Sequence, residues 1–152
     1  MSDSGGRNRT TDNTDKTMST TIKLQIATPE AMVYSGEVEM VTIPGVEGQM
    51  GVLPQHTRMM TYLVPGETIV RKDGQDTFLA VGEGLVEVTN TCISIATNMA
   101  IEAEKIDAAA AEEARQHAAA RLQEKLSTEE VASVNASLTR AVAQLHVKRR
   151  RH

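Results

Sequence analysis

Aromatic side chains are almost missing from this 152-residue chain: Tyr34, Tyr62 and Phe78 are the whole set, and there is no Trp. A base-stacking nucleic-acid surface needs such rings, so no nucleic-acid partner is expected. A core must instead be built from Val, Ile, Leu, Met and Ala. Cysteine is as scarce. Cys92 alone cannot form an intramolecular disulfide, which fits a reducing compartment, and its place in "TCISIAT" fits strand packing better than a reactive thiol. Long apolar runs are missing too: nothing approaches the ~18 residues of a membrane span, and residues 1–17 lack the apolar stretch of a signal peptide. The expectation is a soluble chain, or one held at a membrane only by partners.

The parts of most enzymes are also absent. Gly45 and Gly51 have neither Lys nor Ser after them and no helix start, which fails the phosphate-loop pattern. G-x-G-x-x-G and G-x-S-x-G do not occur, and Gly82-Glu83-Gly84 reads as a turn between strands. His56, His117, His146 and His152 fall in separate elements with no metal-ligand spacing. No cofactor, metal or catalytic residue is therefore expected.

What is present divides the chain into regions. Residues 1–17 are polar and read as disordered. From 18 to 102, short alternating segments such as "TIKLQIAT" alternate with turn signals, including Asp73-Gly74 and Pro65-Gly66, which points to an antiparallel β-sandwich or barrel. Near Ala100 the apolar period shifts from two to 3.6. "AIEAEKIDAAAAEEARQHAAARLQEKL" has neither Gly nor Pro and reads as one helix, with Ile106, Ala110, Ala114, Ala118, Leu122 and Leu126 along a face. Ser127 and Glu130 form a capping box that restarts a second helix, whose seam is Val131, Val134, Leu138, Ala141 and Leu145. Residues 103–147 thus read as an antiparallel helical hairpin. Residues 148–152 form a basic tail in a chain of net charge −4, either solvated at its end or drawn to anionic groups.

The segment "PGVEGQMGVLPQH", 44–56, sets Gly45, Gly48 and Gly51 three apart and ends on His56. It reads as a plain loop between strands or as a docking edge where backbone approaches a partner. Together with "FLAVGEGLVEV" and "AIEAEKIDAAAAEEA", it resembles the epsilon subunit of bacterial F-type ATP synthase across residues 20–147. That resemblance implies a ten-stranded sandwich and two mobile helices in a non-catalytic central-stalk subunit. It would be peripheral on the cytoplasmic face of the plasma membrane and reach that membrane only through the complex. The implied partners are the gamma subunit, the c-subunit ring and, with the helices extended, the alpha and beta subunits, whose ATP hydrolysis those helices restrain. Gly45, Glu47, Gly48, Gln49 and Gly51 would face the ring; His56, Thr57 and Arg58 would face gamma, although "QHTR" departs from the family's G-H-A-P.

Family members that bind ATP in the hairpin carry [IL]-D-x-x-R-A. Here Ile106 and Asp107 are kept while Ala110 replaces the Arg, whose fork of donors suits phosphate, so weak or absent ATP binding is implied. The alanine seam contributes little on burial, at ~0.8 kcal/mol per CH₂. It suits a detachable hairpin, with a permanently docked one as the alternative. Two other readings compete with the whole: an adaptor with a helical arm unrelated to ATP synthase, and an acid–base enzyme built on His56 and a nearby carboxylate.

Overall fold

Aliphatic alternation becomes strands wherever turn residues allow it. Among the described residues there are ten: β1 (Ile22–Ala27), β2 (Met32–Val38), β3 (Met40–Gly45), β4 (Gly48–Val52), β5 (Met59–Leu63), β6 (Gly66–Lys72), β7 (Gln75–Val81), β8 (Gly84–Val88), β9 (Cys92–Thr97) and β10 (Ala100–Glu102). A 3-10 turn (Ala103–Lys105) leads to α1 (Ala108–Arg121) and α2 (Thr128–Arg150). The computed structural model describes residues 20–55 and 57–150, with no description of the Arg150 side chain. The polar leader read over 1–17 and the candidate His56 lie outside the described residues.

The strands form one hydrogen-bonded sheet in the order β10-β7-β6-β3-β5-β8-β9-β1-β2, with β4 paired to β3. The sheet folds over on itself at β3–β5, where Gly45↔Leu63 is the paired position, and β2 comes to lie against β6. Ile22, Leu24, Ile26, Val41, Ile43, Leu63, Leu79, Val86 and Ile95, all 2 % exposed or less, fill the space between the two halves. Each such side chain stabilises by about 1.5–3 kcal/mol on burial, so a core without Phe or Trp suffices. The expected sandwich is antiparallel except at β1–β9, which run parallel from Cys92↔Lys23 to Ala96↔Ala27. Alternation reports burial, not strand direction, and the chain returns beside β1 only after wrapping the whole domain.

Local chemistry explains the turns. Asp73 and Gly74 take φ of 55° and 76° between Lys72 and Gln75, the two-residue hairpin expected from Asp-Gly. The broken apolar alternation of "GEVEMVTIP" marks the passage at Glu39 from β2 to β3.

The helical reading needs three corrections. Residues 100–102 are not helical but pair with β7, Ala100↔Val81 to Glu102↔Leu79, because ladder bonds at an open sheet edge outweigh helix propensity over three residues. Along α1 the buried positions are Ala111 and Ala118, whereas Ala110 and Ala114 are exposed. Steps of four overshoot a turn by ~40° each, so a strict every-fourth-residue seam rotates off the contact face. Finally, α2 continues to Arg150, so Lys148 and Arg149 are helical rather than part of a separate tail. In α2, Val134, Ala141 and Leu145 are buried as expected, and Val131 is exposed. α2 packs against α1 on one side and against β6, β7 and the 3-10 turn on the other.

The capping box forms in full. Ser127 Oγ accepts from the Glu130 N–H at 3.1 Å, and Glu130 Oε1 accepts from the Ser127 N–H at 2.9 Å. The backbone bond from Ser127 is the main cause holding the Glu130 carboxyl below its ordinary range. Its contribution is present above the unfolded-state pKa and lost as pH falls through the lower folded one. An NMR titration should therefore show Glu130 ionised to lower pH than an unrestrained glutamate. Ser127→Ala should destabilise the docked hairpin by ~0.5–2 kcal/mol in chemical denaturation.

Candidate functional site

The outer face of β5, β8, β9, β1 and β2 carries apolar residues where an exposed sheet face is normally polar. Strand register sets them side by side. Tyr62 pairs with Leu85, Leu85 with Ala96, Ala96 with Ala27, and Ala27 with Met32. Tyr62, Leu85, Ala96 and Ala27 point away from the core, since their neighbours Leu63, Val86, Ile95 and Ile26 are buried, and Met32 lies across an irregularity in the β1–β2 register and is itself largely exposed. Val46 extends the row at one end, its N–H donating to the Tyr62 carbonyl at 3.1 Å. Tyr62 is 68 % exposed, Val46 57 %, Met32 54 % and Leu85 38 %, and Met60 stands beside them two residues along β5. Strands lie ~4.8 Å apart, so the row crosses the sheet over about 20 Å. An unbroken apolar stripe of that length marks a surface meant to be covered.

The glycine-rich segment is not a loop but a hairpin. β3 and β4 pair from Val41↔Val52 to Gly45↔Gly48 around a two-residue tip, Val46-Glu47, with Gly48 at φ 122°. Gly45 approaches the Gly48 carbonyl so closely that a Cβ would lie 3.1 Å from it. Glu47, Gly48, Gln49 and Gly51 are exposed, while Gly45 is buried. Val64 N–H to Pro44 O at 2.9 Å fixes the hairpin to the end of β5. Thr57 and Arg58, both exposed, enter the other end of the same strand. The two groups of expected partner residues are therefore held at opposite ends of β5, five residues and about 17 Å apart.

The third group serves the junction with the helices. Ile106 is buried with Ala80, Ala103 and Val147 rather than lying on the α1 seam. Asp107 is the N-cap of α1, its Oδ1 accepting from the Ala110 N–H at 3.0 Å. The Ala110 methyl is exposed. No group of three or more His, Cys, Asp or Glu among the described residues is placed to hold a metal ion.

This geometry is matched by two family models that meet within the 3-10 turn. The ATP synthase delta/epsilon chain β-sandwich domain covers residues 21–103, and its long α-helix domain covers 104–149. The chain belongs to the ATP synthase delta/epsilon family. It is 38 % identical to the ATP synthase epsilon chain of Herpetosiphon aurantiacus, over 86 % of this chain and 96 % of that one. The epsilon chain of Dehalococcoides mccartyi is 39 % identical over the same shares. In fold it is similar to a chain of the Euglena gracilis mitochondrial ATP synthase (OSCP/F1/c-ring) at TM-score 0.70 and 23 % identity, covering 84 % of this chain and 80 % of that one. A chain of the Tetrahymena thermophila central stalk and c-ring superposes at TM-score 0.60 and 12 % identity, covering 84 % and 96 %.

The epsilon-type chain is a non-catalytic rotor subunit of the ATP synthase central stalk; an adaptor unrelated to that complex is not favoured. No helix among the described residues is long and apolar enough to cross a membrane.

Proposed function

We propose that the apolar row from Val46 and Tyr62 to Met32 seats this subunit on gamma, and that the β3–β4 tip faces the c-ring. The row carries the proposal: five apolar positions aligned by register, extended by Val46 and flanked by Met60, have no use in an isolated sandwich. Thr57 and Arg58, with His56 beside them in sequence, extend the gamma side at the start of β5. Glu47, Gly48 and Gln49 form the ring side at its other end, with Gly45 and Gly51 shaping the hairpin. Contact with ring and gamma would make the chain turn with both, peripheral on the cytoplasmic face of a bacterial plasma membrane. The helices, docked here, would contact alpha and beta when extended and restrain ATP hydrolysis. Photo-crosslinkers at Gln49 and Arg58 in the assembled enzyme test the arrangement: Gln49 should label the c subunit and Arg58 gamma. Labelling of gamma alone from both positions rules it out.

The hairpin is proposed not to hold ATP at sub-millimolar concentration. Asp107 is occupied as an N-cap, and position 110 offers a methyl where a guanidinium would grip phosphate. Titration of the full chain with ATP, followed by NMR, should leave the amides of residues 106–110 unmoved. A saturable shift there overturns the reading.

A further inference from the structure

Two side chains one turn apart on α2 reach the same short piece of the sandwich. Gln144 Nε2 donates to the Met99 sulfur at 3.0 Å, and Lys148 Nζ donates to the Ala103 carbonyl at 3.2 Å. Both bonds span 45 positions, so helix residues i and i+4 meet residues i and i+4 of the outgoing chain. Between them Val147 is fully buried with Ala80, Ala103 and Ile106. The Ala103 carbonyl also accepts from the Ile106 N–H at 3.2 Å, the bond that closes the 3-10 turn. Lys148 thus ties the last turns of the hairpin to the hinge through which the hairpin leaves the sandwich.

The rest of the docking is looser. An open cleft of about 450 Å³ lies between β6 and the middle of α2, lined by Pro65, Gly66, Leu138, Val142 and His146 among others. The principal packing partner of α1 is α2, so α1 follows wherever α2 goes. Arg149 has a different neighbour. It faces Glu112 of α1, whose carboxyl is held below its ordinary range chiefly by the hydrogen bond from Arg115, with Arg149 adding a smaller pull.

We infer that Lys148 is a latch: its hydrogen bond to the hinge carbonyl holds the whole hairpin docked, and its release frees both helices together. A bond donated by a charged, half-buried ammonium is stronger than one between neutral groups. Placed at the hinge, it is also made only when α2 lies on the sandwich. The inference rests on the reading that the helices extend to restrain hydrolysis. It gives the start of the basic segment a role opposite to that restraint, since Lys148 favours the docked and permissive state.

Hydrogen exchange on the full-length chain tests this with Lys148→Met, which keeps the aliphatic stem and removes the ammonium. Amides of α1 and α2 should exchange together and about tenfold faster, with β1–β10 unchanged as an internal control for folding. Lys148→Arg should restore most of the protection, and Arg149→Ala, which removes an equal charge from the same helix end, should not reproduce the loss. In the assembled enzyme Lys148→Met should lower ATP hydrolysis. Faster exchange confined to the last turn of α2, an equal effect of Arg149→Ala, or no change overturns the latch. The underlying switch is judged on the wild type alone: hairpin amides as slow as the sandwich refute it, whereas a hairpin that opens as a unit but ignores Lys148→Met refutes only the latch.

Discussion

The paired substitution Tyr62→Lys with Leu85→Glu should abolish association with the ATP synthase stalk while leaving the sandwich folded. The two residues face each other across β5 and β8, 68 % and 38 % exposed, at one end of the apolar row. Opposite charges directly across a strand pair support each other, so the fold should lose no more than ~1 kcal/mol. In a docked interface the same pair is desolvated against apolar groups, and a large anchor buried there is worth ~2 kcal/mol or more. A loss of at least about a hundredfold in affinity is expected from the two together. A tagged variant purified from membranes should leave gamma behind while melting near the wild-type temperature. Undiminished recovery of gamma would remove the row from the interface, and a collapsed melt would be read against Tyr62→Thr, which replaces the ring with a residue of high strand propensity.

The row illustrates what the sequence displays and what it conceals. "RMMTYLVPG" shows apolar residues on both faces of a strand, Met59 and Leu63 inward, Met60 and Tyr62 outward, a pattern that marks a strand covered twice. That signal was available and pointed to β5 alone. Met32, Ala27 and Ala96 have no mark of their own, because their alignment with Tyr62 depends on register and on a parallel β1–β9 pair between distant segments. The residues that local chemistry dictates are legible instead: Asp73-Gly74 forms its hairpin and Ser127 with Glu130 its capping box, since each needs only its own few neighbours. The helical seam shows the intermediate case. Its existence follows from composition, but whether Ala110 or Ala111 faces α2 depends on where the helix starts. Asp107 and the β10 ladder decide that, and the ladder is a tertiary fact. Ile106 belongs to the hinge for the same reason.

Gly84→Ala should be the most damaging small substitution in the sandwich. Gly82 and Gly84 look alike in sequence, two glycines flanking a glutamate in a turn, yet their surroundings differ in kind. A Cβ on Gly84 would run into the Ala96 carbonyl oxygen and lie 2.8 Å from the Thr97 Cα, all of it β9 backbone that cannot rotate aside. A Cβ on Gly82 would meet chiefly the Asn98 carboxamide, a side-chain end that can swing away once its 2.9 Å bond to Glu83 is given up. At Gly84 relief requires prising β8 from β9, the seam that pairs Val86 with Ile95 in the core and Leu85 with Ala96 on the outer row. Overpacking a rigid site costs typically 1–3 kcal/mol, and backbone against backbone belongs at or beyond the upper end. For a sandwich of this size that corresponds to a fall in Tm of roughly 10–20 °C. Gly82→Ala should cost about a third as much, close to the loss of one exposed hydrogen bond. Thermal melts of the two variants side by side decide the point: equal losses would mean that the β8–β9 seam yields as readily as a side chain. The outer row would then lack the rigid register on which its use as a docking face depends.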